Sequence, residues 1–395
     1  MKLLQEKLGR YDAPQKAKAA GIYPYFRAIS SEQDTEVLMN GKKVLMFGSN
    51  SYMGLTNDPR VIEAAVKATQ KYGTGLAGSP FLNGTLDIHK DLEARLADYV
   101  GKEDAMLYST GFGVNLGVVS TLTGREDYII LDEQDHASII EGRRLSFSNY
   151  LKYKHNDMNS LEDQLKKCNP DKVKLIVSDS VFSMEGDVAD VKKMVELSKK
   201  YNATLMIDEA HGIGVFGEGG RGVCNYLGVQ NDVDLIMGTF SKSFAALGGF
   251  IATDKEITNF LRHHSRSYIF TASITPASVA AVNASLDIML AEPERQKHLW
   301  DITHFALESF REMGLEIGHT QTPIIPLFIR DDYKTFRVTR DLLDEGVFVN
   351  PVVSPAVAPN DTLIRYSLMA THTRQQVEHS LEAIEKVFKK NGLLP

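Results

Sequence analysis

From about Lys43 to Thr275 short apolar runs alternate with stretches whose apolar residues recur at helical spacing. The pattern predicts strands at 105–108 (AMLY), 127–131 (DYIIL), 174–178 (KLIVS), 203–207 (ATLMI), 233–237 (VDLIM) and 248–253 (GGFIAT). Between them lie helices such as 190–200, where Val191, Met194, Val195 and Leu197 share one face. Strand–helix alternation of this kind belongs to an α/β domain built on a mostly parallel sheet. After Thr275 the pattern changes. A helical stretch at 277–313 is interrupted by Pro293, which breaks or kinks it. A strand (324–329), a helix (334–345), two short strands (347–350 and 363–367) and a closing helix (373–391) then read as a smaller α+β domain. Residues 1–42 are polar, contain Pro14 and Pro24, and predict one short helix at Leu3–Leu8. The expected organisation is an N-terminal arm (1–42), a large domain (43–276) and a C-terminal domain (277–395) that includes the interdomain helix.

Charge narrows the function classes. The 395 residues carry 44 Lys+Arg against 51 Asp+Glu, a formal −7, so no broad basic surface for nucleic acid is expected. A local basic patch for an anionic substrate stays open. Cys168 and Cys224 are the two cysteines, too few for a disulfide framework or a zinc cluster, and they fit a reducing compartment. No metal site is expected. No apolar run approaches the roughly 18–20 residues needed to span a bilayer, and the N-terminus lacks the apolar core of a signal peptide. The expectation is a cytoplasmic protein, with peripheral contact at the inner face of the membrane left open.

The candidate chemistry sits just past the predicted strands, on the side where a parallel sheet presents its ligand crevice. Strand ATLMI runs into Asp208-Glu209-Ala210-His211-Gly212. A carboxylate there can hold a proton on a ring nitrogen in a water-poor site. About thirty residues on, VDLIM leads into GTFSKSFAALGGF (238–250), which places Lys242 among Thr239, Ser241 and Ser243. Such a lysine can form a Schiff base with an aldehyde cofactor, and the hydroxyls can bind a phosphate. Singly, each signal is weak, since strand-end lysines are usually solvated and strand-end aspartates usually cap. Their order and spacing raise the odds, and three segments agree. Ser109-Thr110-Gly111-Phe112-Gly113 opens an apolar helix whose N-terminal N–H groups suit a phosphate. Asp135-His136-Ala137-Ser138 follows a strand and offers an imidazole to stack on a planar ring. Asp179-Ser180-Val181-Phe182-Ser183 follows another, with Ser183 reaching the crevice. Two G-x-G-x-x-G matches, Gly73–Gly78 and Gly217–Gly222, lack the strand-to-helix setting of a dinucleotide site.

Together these residues resemble the α-oxoamine synthases of the fold-type I pyridoxal-phosphate (PLP) enzymes. The markers run along nearly the whole chain: NSYMGL (50–55), GTGLAGSPFLNGTLDIHKDLE (73–93), STGFGVN (109–115), DEQDHASI (132–139), SVFSMEGD (180–187), IDEAHGIGVFGEGGRG (207–222) and GTFSKS (238–243). Pro80 stands where the family commonly has arginine, so no role carries over to that side chain. The resemblance implies PLP held on Lys242, its ring nitrogen paired with Asp208 and its face stacked on His136. It also implies cofactor contacts from His211, Thr239, Ser241, Gly111, Phe112, Ser183 and Thr271, the last reaching across a homodimer interface. Substrate contacts fall to His136, Arg365, Ser79 and Asn50. The implied reaction is decarboxylative condensation of an amino acid with an acyl-CoA. TFSKS (239–243) and YIFTAS (268–273) point to the branch that joins L-serine to palmitoyl-CoA. Glycine with acetyl-CoA and alanine with a pimeloyl thioester are the alternatives within the family. An aminotransferase and a silent partner subunit are the alternatives outside that chemistry, and intact Lys242, Asp208 and His136 argue against silence.

Overall fold

Asn40 and Gly41 both take positive φ, 50° and 75°, and the tight turn they make folds β1 (Glu36–Met39) back onto β2 (Lys42–Met46). The computed structural model describes residues 2–395. The hairpin is not among the expected elements, although Asn-Gly between apolar runs is a strong local signal for one. β2 also pairs in parallel with a strand from the far end of the chain, Val347↔Leu45. Pairing therefore crosses the boundary expected at 42/43, and we propose that this hairpin be counted with the smaller domain. The arm holds two helices, Lys2–Leu8 and Ala13–Ala19. The second is unexpected because Pro14 reads as a breaker, yet it stands in the first turn, where its missing N–H costs nothing.

The large sheet has seven strands: β3 (Asp104–Tyr108), β4 (Tyr128–Asp132), β5 (Asn149–Tyr153), β6 (Lys174–Asp179), β7 (Thr204–Asp208), β8 (Leu235–Thr239) and β9 (Gly249–Thr253). Their order is β3-β9-β8-β7-β6-β4-β5. β4 to β8 run parallel, and β9 is antiparallel to both neighbours. The reason is length. Residues 240–248 are too few for the dozen or so a parallel crossover needs, so the chain turns straight back. β6 is wholly buried, and its apolar centre Leu175–Val177 is that of a central parallel strand. Edge strand β5 (NYLKY) exposes Asn149 and Lys152, and that polar edge hides it from the pattern.

The break at Pro293 is real. Helix Pro276–Ala291 ends at Glu292, and Pro293 opens helix Pro293–Glu312 at its first turn. The smaller sheet is antiparallel, β10 (Ile324–Phe328) and β12 (Asn350–Val352) flanking β13 (Leu363–Ser367), while β11 (Val347–Phe348) leaves to join β2. The single strand expected at 347–350 is thus two strands in two sheets. Helices Asp332–Asp344 and Arg374–Lys390 complete this layer, each capped by a side chain, Asp331 and Thr373. Phe47 stacks between Tyr366 (4.6 Å) and His372 (4.2 Å), tying the segment after β2 into this core.

Candidate active site

The parallel strands deliver their carboxyl ends to one crevice, and four acidic residues mark it: Asp132, Asp135, Asp179 and Asp208, all buried. Asp208 closes β7 opposite Asp179 on β6. Its Oδ1 accepts from the Ala210 N–H (2.9 Å) and its Oδ2 from Asn115 Nδ2 (2.7 Å). The second Asn115 N–H goes to Ser138 Oγ (2.9 Å), which lies 2.7 Å from His136 Nδ1. The Ser138 N–H also donates to that Nδ1 (3.3 Å), so the neutral imidazole keeps its proton on Nε2. One asparagine thus orients both the carboxylate and the ring. Asp179 Oδ2 accepts from the His136 backbone N–H (2.8 Å), and Asp135 Oδ1 from the Asp179 N–H (3.1 Å). Burial, together with Asp208, pushes Asp179 well above the usual carboxylate range, and burial with Asp179 does the same to Asp135.

Asn115, His136, Ser138, Asp179 and Asp208, but not Asp132 or Asp135, line a cavity of about 300 Å³ with Gly111, Phe112, Thr239, Ser241, His211 and Lys242. Thr110 caps helix Gly111–Leu122 and accepts from the Gly113 N–H (2.9 Å). A Cβ on Gly111 would meet Thr239 Oγ1 at 2.5 Å, so glycine is what lets the helix start approach the strand end. Thr239 Oγ1 lies 3.1 Å from Ser241 Oγ, which puts two hydroxyls beside the free N–H groups of that helix. Lys242 is part-buried, and burial pulls its amine down to about 8 despite the raising effect of Asp208 and Asp179.

Lys242, His136 and His211 also line a second cavity of about 690 Å³, with Asn50, Ser183 and Arg365. Arg365, on β13, is buried and has no carboxylate partner among the described residues. It donates to the Ser183 carbonyl (2.6 Å), Ser367 Oγ (2.7 Å) and the Tyr52 hydroxyl (3.2 Å). That hydroxyl lies 2.7 Å from His211 Nδ1. Burial, then Lys242 and Arg365, hold His211 well below its ordinary range, so it is a neutral ring. The rim is apolar: Tyr25, Phe26, Met184, Phe348, Val352, Val353 and Pro355.

Lys242, Asp208, His136, His211, Thr239, Ser241, Gly111, Phe112, Ser183, Asn50 and Arg365 thus converge on two connected cavities. Ser79 and Thr271 do not. Ser79 is buried with an unpartnered Oγ, and the turn at 79–84 (Gly84 N–H to Ser79 carbonyl, 2.9 Å) holds it away. Thr271 is exposed beside Phe270. Sequence reasoning misses Asn115, Ser138, Asp179 and Tyr52 as site residues. Asn115 carries a signal, being the one amide inside an apolar helix. Asp179 and Tyr52 act through partners remote in sequence, and Ser138 through His136 two residues before it and Asn115 23 residues before it. A larger groove of about 1030 Å³, between helix Pro293–Glu312 and the 215–227 loop, holds none of the candidate residues.

The smaller cavity fits PLP. A carboxylate, a lysine of lowered pKa, a ring to stack and a helix N-terminus with two hydroxyls are set around it. The profile of the aminotransferase class I and II family matches residues 42–384. The chain belongs to this family. Within it, the chain is an α-oxoamine synthase with PLP as its cofactor. It is 62% identical over 394 residues to the serine palmitoyltransferase of Bacteroides thetaiotaomicron, covering both chains in full. It is 40% identical over 382 residues to the 8-amino-7-oxononanoate synthase of Petrotoga mobilis, covering 96% of this chain and 97% of that one. A solved structure of SPT with PLP internal aldimine superposes with a TM-score of 0.96 at 34% identity, covering 99% of this chain and 100% of that one. Among the described residues no helix is long and apolar enough to cross a membrane.

Proposed function

We propose that this protein condenses L-serine with palmitoyl-CoA, releasing CO2 and CoA and leaving 3-ketodihydrosphingosine, the entry step of sphingolipid synthesis. The geometric observation that carries the reading is Arg365, a buried guanidinium without an acid partner on the cavity it shares with Lys242. Leaving such a charge uncompensated is costly, and an α-carboxylate supplies the compensation. The choice of serine and a long acyl chain rests on full-length identity of 62% to a serine palmitoyltransferase, against 40% to an 8-amino-7-oxononanoate synthase. The apolar rim at Tyr25, Phe26, Phe348, Val352 and Val353 agrees with a lipid tail.

In this reading PLP supplies an electron sink for the bonds broken at the amino-acid Cα. Asp208 keeps a proton on the cofactor's ring nitrogen, with Asn115 fixing the carboxylate's orientation. Thr239, Ser241 and the N–H groups of Gly111 and Phe112 would take the phosphate. His136 packs on the ring and offers its Nε2–H to the substrate carboxylate, whose second anchor is Arg365. The Lys242 amine holds the cofactor at rest and removes the Cα proton, a task its lowered pKa suits.

The protein works as a homodimer. Phe112, Leu247 and Phe270 stand exposed at and near the cofactor cavity, an apolar surface that a second copy would cover, and Thr271 lies within it. Exposed Leu3, Leu4 and Leu8 on helix Lys2–Leu8 fit peripheral contact at the cytoplasmic face of the membrane. The deciding experiment incubates purified protein with serine, glycine or alanine and palmitoyl-, acetyl- or pimeloyl-CoA, and identifies products by mass. The expected product is the 3-keto C18 amino alcohol. Faster turnover of glycine with acetyl-CoA, or of alanine with pimeloyl-CoA, rules the reading out, as does a keto acid formed without acyl-CoA.

A further inference from the structure

The turn that carries Ser183 is held from within by backbone pairing alone. Val181 bridges Val188, the Phe182 N–H reaches the Asp187 carbonyl (3.0 Å), and the Gly186 N–H returns to the Phe182 carbonyl (2.9 Å). Its outer anchor is a histidine the chemistry above does not use. His155, just after β5, sets Nδ1 3.0 Å from Asp132 Oδ1 and Nε2 2.9 Å from Asp187 Oδ2. Its ring stands edge-on to Phe182 at 4.4 Å. Asp132 is fully buried at the end of β4, and its Oδ2 takes the Asn156 N–H (2.7 Å). Asn156 in turn donates to the Val188 carbonyl (3.0 Å) and accepts from the Asp190 N–H (3.0 Å). Burial works against a charge on His155, but the hydrogen bonds to Asp132 and Asp187 more than offset it and push the ring up to about 10. Both nitrogens therefore carry protons and both donate.

We propose that His155 is a positioning residue for the amino-acid carboxylate site: its double ion pair fixes the 181–188 turn, and the turn's Ser183 carbonyl sets the angle of the Arg365 guanidinium. The linkage is contiguous, from Asp132 through His155 to Asp187 and Phe182, then one residue on to Ser183 and across 2.6 Å to Arg365 Nε. The far side of the turn is already seated, since a Cβ on Gly186 would meet the Ile324 carbonyl at 2.2 Å. His155 is thus the charge that joins the end of β4 in the large sheet to an arginine on the smaller one.

The inference rests on the functional reading above, and its test separates the two. L-serine binding is measured on PLP-loaded protein by the change in the cofactor's absorbance, for wild type, His155→Gln, Asp187→Asn, Arg365→Lys and the double variant His155→Gln/Arg365→Lys. Each single variant at the clamp should weaken serine binding about 10-fold, with PLP affinity and the KM for palmitoyl-CoA within about twofold of wild type. In the Arg365→Lys background His155→Gln should add less than about twofold, because both changes act on one contact. Serine binding that is unchanged in both clamp variants, even with a lowered Tm, overturns the proposal. So does a His155→Gln effect that persists in full without Arg365. Wild type that answers to glycine or L-alanine in place of L-serine overturns the functional reading alone, and the same cycle run with that amino acid still tests the clamp.

Discussion

The two cavities that meet at Lys242 are built in different ways. The floor, about 300 Å³, comes from one sheet: the ends of β6, β7 and β8, the loop after β4 and the start of helix Gly111–Leu122. Its polar groups are mutually oriented, with Asn115 serving Asp208 and His136 together. The mouth, about 690 Å³, is assembled from segments drawn from across the chain: Pro24–Arg27, Asn50, the Ser183 turn, 348–356 and Arg365. A rigid floor suits chemistry common to a whole family, where a 1 Å error is expensive. A mouth drawn from several segments suits the part that distinguishes substrates, because each segment can vary without disturbing the sheet.

Substitutions along that division should separate turnover from binding. Lys242→Ala should cost most, at least ~10⁴-fold in turnover, the upper end for a positioned proton-transfer group. Borohydride should fix the cofactor mass on the Lys242 peptide of wild type and on no peptide of the variant. Recovery on another lysine would falsify the floor as drawn. Asp208→Asn keeps the shape but loses the charge and one of the two acceptor oxygens that take the Ala210 and Asn115 N–H groups, and turnover should drop at least ~10²-fold with serine binding little changed. Near-normal turnover would remove Asp208 from the chemistry.

At the mouth the signature should reverse. Arg365→Lys gives up a forked donor for a point charge, and serine KM should rise ~10–100-fold, the worth of one charged hydrogen bond, while palmitoyl-CoA KM moves little. A selective loss of kcat instead would place Arg365 with the floor. A pH experiment sharpens the same line. The Lys242 amine, pulled below its ordinary value of 10.5 to about 8, is neutral above that pH, so capture of PLP by cofactor-free protein should speed up about tenfold from pH 7 to pH 9 and then level off. A rate that climbs about 100-fold across that window without levelling off would mean the amine is not desolvated. The smallest change is expected for Phe26→Ala, on the apolar rim: palmitoyl-CoA KM up ~3-fold with serine KM unmoved. An equal shift for acetyl-CoA would show that Phe26 does not meet the lipid tail.

The same floor-and-mouth division separates what is legible in the amino-acid sequence from what is not. Asp208 closes an apolar run and His136 and Lys242 follow one within a few residues, so their place at or just past strand ends can be read locally, and so can the Pro293 break. The hairpin at Asn40-Gly41 is equally local, yet a reading of the large domain that starts at Lys43 passes over it. Edge strand β5 is not readable, because alternation with solvent looks like loop when one neighbour is missing. Arg365 can be named only by likeness to a family, since nothing near it in sequence says that its counter-charge is absent. Ser79, named on the same basis, sits outside the cavities.

By itself, then, the chain order of apolar runs and the residues ending them determined an α/β sheet with a cofactor floor at its carboxyl edge. That follows because strand pattern and strand-end position are short-range properties of sequence. Tertiary structure alone decided that β9 turns back antiparallel, that β2 finds β11 some three hundred residues away, and that Asn115 bridges Asp208 to Ser138. It also decided that His155 lies between two acids from different segments of the chain. Those outcomes depend on loop closure, burial and the pairing of charges across the fold, which no window of neighbouring residues contains.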